Sequence, residues 1–322
     1  MNQMFIFFLQ EIEDLCIHRK GNDLFDKLSD VCKQHVNDHL LSKLDTNTTD
    51  DVTILSQMRS IWDKHRRELI AIRAIFIYLD RSYVVTESST KSIWAMGLQF
   101  FREALLGSKD ALKKTVDSFL NIIRREREGQ VIDRAVLRDI SKMFSELQMY
   151  MKELEEPLIR ESENFFQTEA QRRVEQIQKE EYPYTQVADF LELVESRIHQ
   201  ELDRVRSCLE HKTQLKLVEI IERLMVQSNI NVIVEQGFVG LMNNDKLQDI
   251  SRMHYLFDKV GENAIKKLKD AWSENIRKRV GDIIHEDNDN KESSKVSQSV
   301  KSTGSFYMTS SLNPIPIARS RS

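Results

Sequence analysis

Apolar residues recur along this chain at steps of three and four from its start to about position 284, the spacing of one face of an α-helix. Leu55, Met58, Trp62, Leu69, Ile72, Phe76 and Leu79 form one such stripe and predict a single helix over about 52–82. At 1.5 Å per residue that rod is roughly 45 Å long. Its other face carries Lys64, Arg66, Arg67 and Glu68. A short polar link leads to a second helix over 92–106, which is apolar around much of its circumference through Ile93, Trp94, Met96, Leu98, Phe100, Phe101, Leu105 and Leu106. One ordinary helix–helix contact hides only a stripe. So wide an apolar surface implies burial on several sides or a partner from outside.

Leu112, Val116, Phe119 and Ile123 open the next stripe, which Gly129 closes. Asp133 is placed to cap a helix that buries Leu137, Ile140, Phe144, Leu147 and Met151, and Pro157 breaks or restarts that run. Tyr182-Pro183-Tyr184-Thr185 is a turn. After it Val187, Leu191, Val194, Ile198, Leu202, Val205 and Leu209 resume the helical spacing, and a final helix runs from about Glu262 to Ile284 through Leu268 and Trp272. No alternating strand pattern competes with these segments. The expected fold is all-α, with helices too long and too numerous for a compact bundle, which makes a stacked α-solenoid the natural architecture. From 285 to 322 Asp, Asn, Ser and Lys dominate, and this tail is expected to be disordered because it lacks apolar surface to offset the entropy of ordering.

Composition narrows the function classes. The net charge of -4 gives no bias toward nucleic acid or an anionic membrane. Three scattered cysteines, Cys16, Cys32 and Cys208, form no disulfide framework and fit a reducing compartment. The apolar run from Met4 to Leu9 is too short to span a bilayer and lacks the basic flank of a secretory signal. Cys32, His35 and His39 stand at helical spacing, but a closed zinc site wants four ligands, and an amphipathic helix explains them better. No phosphate loop or nucleophile elbow occurs; Gly237 and Gly240 stand isolated in a helical pattern. Glu153, Glu155 and Glu156 fit an exposed helix face. Arg124, Arg125 and Arg127 alternate with Glu126 and Glu128, as on a solvated helix end rather than a phosphate-binding patch. No catalytic residue, cofactor or metal is expected, and the chain should not act as an enzyme.

Arg73-Ala-Ile-Phe-Ile-Tyr-Leu-Asp-Arg-Ser-Tyr-Val84 and Ser92-Ile-Trp-Ala-Met-Gly-Leu-Gln-Phe-Phe-Arg102 resemble the N-terminal region of the cullins, most closely the cullin-4 branch. Glu126-Arg127-Glu128-Gly129, Ile132 to Arg138, Ser145 to Tyr150, Glu235 to Phe238 and Met253 to Phe257 continue the likeness in the same order, from about Phe8 to Ile284. The resemblance implies an elongated right-handed stack of five-helix repeats: 1–107 as a first repeat incomplete at its N-terminus, 108–228 as a second, 229–284 as part of a third, and 285–322 as the tail. It implies a non-catalytic scaffold arm of a cullin-RING ubiquitin ligase in ubiquitin-dependent protein catabolism. In the family, two helices of the first repeat dock the substrate adaptor, in the cullin-4 branch a propeller protein of the damaged-DNA-binding protein 1 type. Carried over, the adaptor-binding residues are Leu9, Ile12, Glu13 and Cys16 of the first helix, and Ile93, Trp94, Met96 and Gln99 of the second. The resemblance also leads us to expect a chain truncated before the region that binds the RING subunit and carries the neddylated lysine, so the RING subunit is not expected to bind it. The expected location is cytoplasmic and nuclear, with no direct contact to nucleic acid or membrane. An unrelated helical-repeat tethering protein is the alternative that the helical pattern leaves open.

Overall fold

The computed structural model describes the backbone of residues 3–40, 42, 44–45, 48–86 and 91–289. The Ser-rich segment beyond 289 lies outside the described residues, as do the side chains of Phe5, His39 and Ile284. Regular structure among the described residues is helical throughout. In chain order the helices are α1 (Gln3–Ile17), α2 (Gly21–His35), α3 (Asp51–Ile75), α4 (Ile77–Thr86), α5 (Ile93–Gly107), α6 (Lys109–Arg127), α7 (Arg134–Glu146), α8 (Glu156–Lys179), α9 (Pro183–Cys208), α10 (Thr213–Ile221), α11 (Ile230–Ile233), α12 (Val239–Asn243), α13 (Leu247–Val260) and α14 (Glu262–Asp289). The last of these runs past Ile284, where the apolar spacing ends. Two compact units form: Met1–Glu175 with Glu192–Ser228, and Gln176–Leu191 with the described residues from Asn229 on.

In the first unit α3 packs against α5, α6 and α7. Its core holds Met58, Trp62, Phe101, Phe119, Ile123, Leu137, Phe144 and Leu158. Side chains of this size contribute about 1.5–3 kcal/mol each when removed from water. Caps set the helix ends, at Asp133 and Gly129 where the sequence places them and at Asp50 besides. Asp50 accepts from Thr53 N at 3.0 Å, Asp133 accepts from Ala135 N at 2.8 Å, and Gly129 stops α6 with a φ of 94° that disfavours any side chain.

Four sequence expectations change. The rod expected over 52–82 bends at Phe76, whose φ of -93° and ψ of 27° separate α3 from α4. Neither proline nor glycine causes this. The ladder runs on, with Phe76 N donating to Ile72 O at 2.9 Å and Asp80 N to Phe76 O at 3.0 Å, and the turn brings Asp80 onto the start of α5. Met151, expected in the core, is 56% exposed, because Gln148 takes a left-handed φ of 56° and ends the α7 run early. Pro157 neither breaks nor restarts a helix from solvent; a π-helical turn at Tyr150–Glu155 leads directly into α8, shifting the hydrogen-bond ladder past the position that proline cannot serve. Glu155 is buried rather than exposed, accepting from Thr213 Oγ1 at 2.9 Å and Lys216 Nζ at 2.6 Å, while Tyr150 Oη and Thr213 Oγ1 lie 2.8 Å apart.

The fifth correction concerns the arginine knot. Arg124 does lie at the surface, donating from Nε to Glu161 at 2.7 Å. Arg127 is 2% exposed. Its Nε donates to Glu201 Oε1 at 2.9 Å and its Nη2 to Ser162 Oγ at 2.8 Å, and its guanidinium lies 5.0 Å from the centre of the Phe166 ring. Arg204, also buried, pairs with Glu201 and with Glu126, and Arg134 joins Glu126 to Asp203 at 2.6 Å each. Burial alone would raise the Glu201 carboxyl, but the Arg127 and Arg204 charges outweigh it and hold that group below the ordinary carboxylate range. This cluster fastens α6 to α8 and α9.

In the second unit, Gly237 and Gly240 are notches. A Cβ at Gly237 would lie 2.5 Å from Val187 Cγ1 and 2.9 Å from Val187 Cβ, and one at Gly240 would lie 2.5 Å from Tyr184 Cβ. Val187 is fully buried and cannot step aside. Gly237→Ala should therefore overpack this contact and cost about 1–3 kcal/mol. Chemical denaturation followed through Trp272, which sits 5.6 Å from the Phe238 ring, measures it. An unchanged midpoint would mean that α9 yields freely.

Candidate protein-docking site

The apolar helix α5 is held on its inner face by close approach to α3. A Cβ at Gly97 would fall 2.2 Å from Leu69 Cδ2, so glycine leaves the room that the buried Leu69 side chain occupies. Through the same gap His65 Nε2 donates to Gly97 O at 3.1 Å. A carbonyl can only accept, which fixes the proton of the neutral ring on Nε2. Phe101 packs between Trp62, edge-on at 5.1 Å, and His65, stacked at 4.9 Å.

The first turn of α5 is doubly capped. Ser92 Oγ accepts from Ala95 N at 3.2 Å, and Asp80 Oδ1 from α4 accepts from Ile93 N at 2.9 Å. Arg73 Nε donates to the other oxygen of Asp80 at 3.2 Å. On the outer edge, Gln99 accepts from Lys91 Nζ at 2.7 Å and donates to Glu103 Oε1 at 2.6 Å, a polar rail; Trp94, Leu98 and Phe100 of the same helix are partly exposed.

Helix α1 packs mainly on α4 and also touches α2 and α3. It ends in a left-handed Arg19, φ 61°, with Arg19 N and Lys20 N donating back to Cys16 O and Leu15 O. Partial burial pushes the Cys16 thiol up, against a smaller opposing effect of Ser82 on α4, whose Oγ donates to Tyr78 O at 2.6 Å. Phe7, Phe8, Leu15 and Ile17 are exposed, at 57, 52, 36 and 61%.

The residues singled out from sequence divide accordingly. Ile12, Ile93 and Met96 are buried within the chain, with 6, 0 and 4% exposure, and have next to no surface to offer a partner. Met96 and Ile93 pack with Cys32 against Phe25, Leu28, Ile72, Phe76 and Phe100. Glu13 is exposed, and Leu9, Cys16, Trp94 and Gln99 are partly exposed. Helical spacing put all four α1 positions on one side, but it could not say which edge of that side meets α4. Asp80 and His65 went unnoticed, although Asp80 lies inside the quoted motif, because their partners at Ile93 and Gly97 are 13 and 32 residues away.

Of the candidate metal ligands, Cys32 is buried, its thiol pushed up by that burial, and His35 Nε2 lies 3.0 Å from Glu68 Oε2. Among the described residues no group of three or more His, Cys, Asp or Glu side chains could hold a metal ion, and no helix is long and apolar enough to cross a membrane.

Comparison with known proteins adds a family. The model of the Cullin alpha solenoid domain matches residues 2–310, beyond Ile284, where the motifs run out. Cullin-4A of Mus musculus is 33% identical over 270 residues, which make up 83% of this chain and 34% of the relative. Cullin-4 of Dictyostelium discoideum is 34% identical over 268 residues, 83% of this chain and 32% of the relative. Cullin-3 of Dictyostelium discoideum is 24% identical over 295 residues, 89% of this chain and 37% of the relative. The chain spans about a third of the length of these curated relatives.

Proposed function

The chain belongs to the cullin family, and from that premise we propose that it is a non-catalytic scaffold arm of a ubiquitin ligase that docks a propeller-type substrate adaptor through α1 and α5. The observation that carries this reading is Trp94: a large aromatic left partly exposed in the first turn of a helix that Gly97, His65 and Phe101 hold against α3. A rigid, partly buried aromatic loses little entropy on binding and is the residue type that most often anchors an interface. Glu13 and the Lys91–Gln99–Glu103 rail supply polar groups that set orientation more than affinity. The thiols also support a scaffold over a thiolate enzyme. Burial pushes Cys16 and Cys32 up and takes Cys208 to about 11, so all three stay protonated near neutrality and make poor nucleophiles.

Titration with a purified adaptor of the damaged-DNA-binding protein 1 type tests the proposal. Trp94→Ala should weaken binding by about tenfold or more, with helix content and unfolding midpoint measured alongside to separate docking from folding. Glu13→Lys should act mainly on the association rate and its salt dependence. A folded wild-type chain that does not bind the adaptor at micromolar concentration would sink this function, and preference for another helical rod would favour a tethering role.

A further inference from the structure

Helix α4 is short, yet it touches both helices assigned to docking. It packs along α1 and carries Asp80, hydrogen-bonded to the first amide of α5. Asp80 is 8% exposed, and Arg73 of α3 holds its second oxygen. We infer that Asp80 is the positioning residue of the docking site, a bolt that sets the N-terminal turn of α5, and with it Trp94, in relation to α1. The inference rests on the docking role proposed for α1 and α5.

The physical case has three parts. The Ile93 amide is one of the four at a helix start that have no partner within the helix, and Ile93 is fully buried, so water cannot replace a lost acceptor there. The acceptor is a carboxylate facing the positive end of a 15-residue helix, which strengthens the bond beyond a neutral one. And Asp80 joins three elements at once: it sits on α4, just past the Phe76 break, with one oxygen on the start of α5 and the other held by Arg73 of α3. Ser92 already caps the amide of Ala95, so Asp80 does more than start a helix. It ties that start to a second element.

Amide hydrogen exchange and adaptor titration on the full chain test this with Asp80→Ala and Asp80→Asn. Asparagine keeps an oxygen that can accept from Ile93 N; alanine does not. In Asp80→Ala the Ile93 amide should exchange at least tenfold faster while the amides of Phe119 and Ile140 keep their protection, and adaptor affinity should fall about tenfold. Asp80→Asn should bring both readouts back to within about threefold of wild type. Unchanged Ile93 exchange in Asp80→Ala would overturn the inference. So would a uniform loss of protection across the first unit, which marks general destabilisation. If the wild-type chain ignores the adaptor, the proposed function fails, and the exchange arm alone decides whether Asp80 bolts α4 to α5.

Discussion

Arg127→Met should lower the stability of the first unit by about 3–5 kcal/mol, the range found when one partner of a buried ion pair is removed. The native arginine spends its donors on Glu201 and Ser162 and lies against Phe166, all within the protein. Methionine fills much of the volume but leaves the Ser162 hydroxyl and part of the Glu201 carboxylate without a donor. Arg204 still pairs with Glu201, so the loss should fall toward the lower end of the range. The double variant Arg127→Met/Glu201→Leu removes the stranded charge as well as the pair, and should regain at least about 1.5 kcal/mol over the sum of the singles. Urea titration in a Trp272→Phe background, where Trp62 and Trp94 report on the first unit, measures all four corners of this cycle. A single-variant loss below about 1 kcal/mol would mean that water reaches Glu201 as freely as it reaches a surface carboxylate.

That cluster also marks the limit of what the sequence made legible. Helix positions, the Asp133 cap and the Gly129 stop are local: they depend on residues within a turn of one another, and the structure has them where the spacing put them. Arg127 is not local. Between Glu126 and Glu128 it has the alternating charge of a solvated helix end, and the carboxylate that claims it is 74 residues away on α9. The bend at Phe76 was hidden for a similar reason, since no helix breaker stands there and the contact that rewards the turn lies beyond the next loop. In the candidate site, periodicity chose the right helices but not their outward faces. Ile93 and Trp94 are adjacent in sequence, one fully buried and one partly exposed, and only the direction of approach of α2, α3 and α6 distinguishes them. The family motifs resolved this no better, because they name helices that hold together as well as helices that dock.

Acidification should destabilise the fold through His65, beneath the same docking helix. This ring is 3% exposed, stacked on Phe101 and donating from Nε2 to Gly97 O. Burial drives its pKa down to about 4, against the opposing pull of the Gly97 carbonyl and the Glu68 carboxylate and with a small push in the same direction from His35. An unfolded histidine keeps its ordinary value near 6.5. Between those two values the unfolded chain binds the proton that the folded chain refuses, so stability is fully present above about pH 6.5 and falls as the pH drops toward 4. The whole window is worth roughly 3 kcal/mol for this one group. Carboxylates titrate over the lower part of the same range, and a comparison isolates the histidine: His65→Gln keeps an N–H that can reach Gly97 O but binds no proton. Urea unfolding at pH 7, 6 and 5 should show wild type losing stability faster than the variant, with the gap growing as pH falls even though the glutamine form starts out less stable at pH 7. Parallel curves would mean that water enters beneath α5 and solvates the imidazolium in place. A widening gap would locate the acid-sensitive point of the first unit at the α3–α5 contact, where His65 supports the helix that carries Trp94.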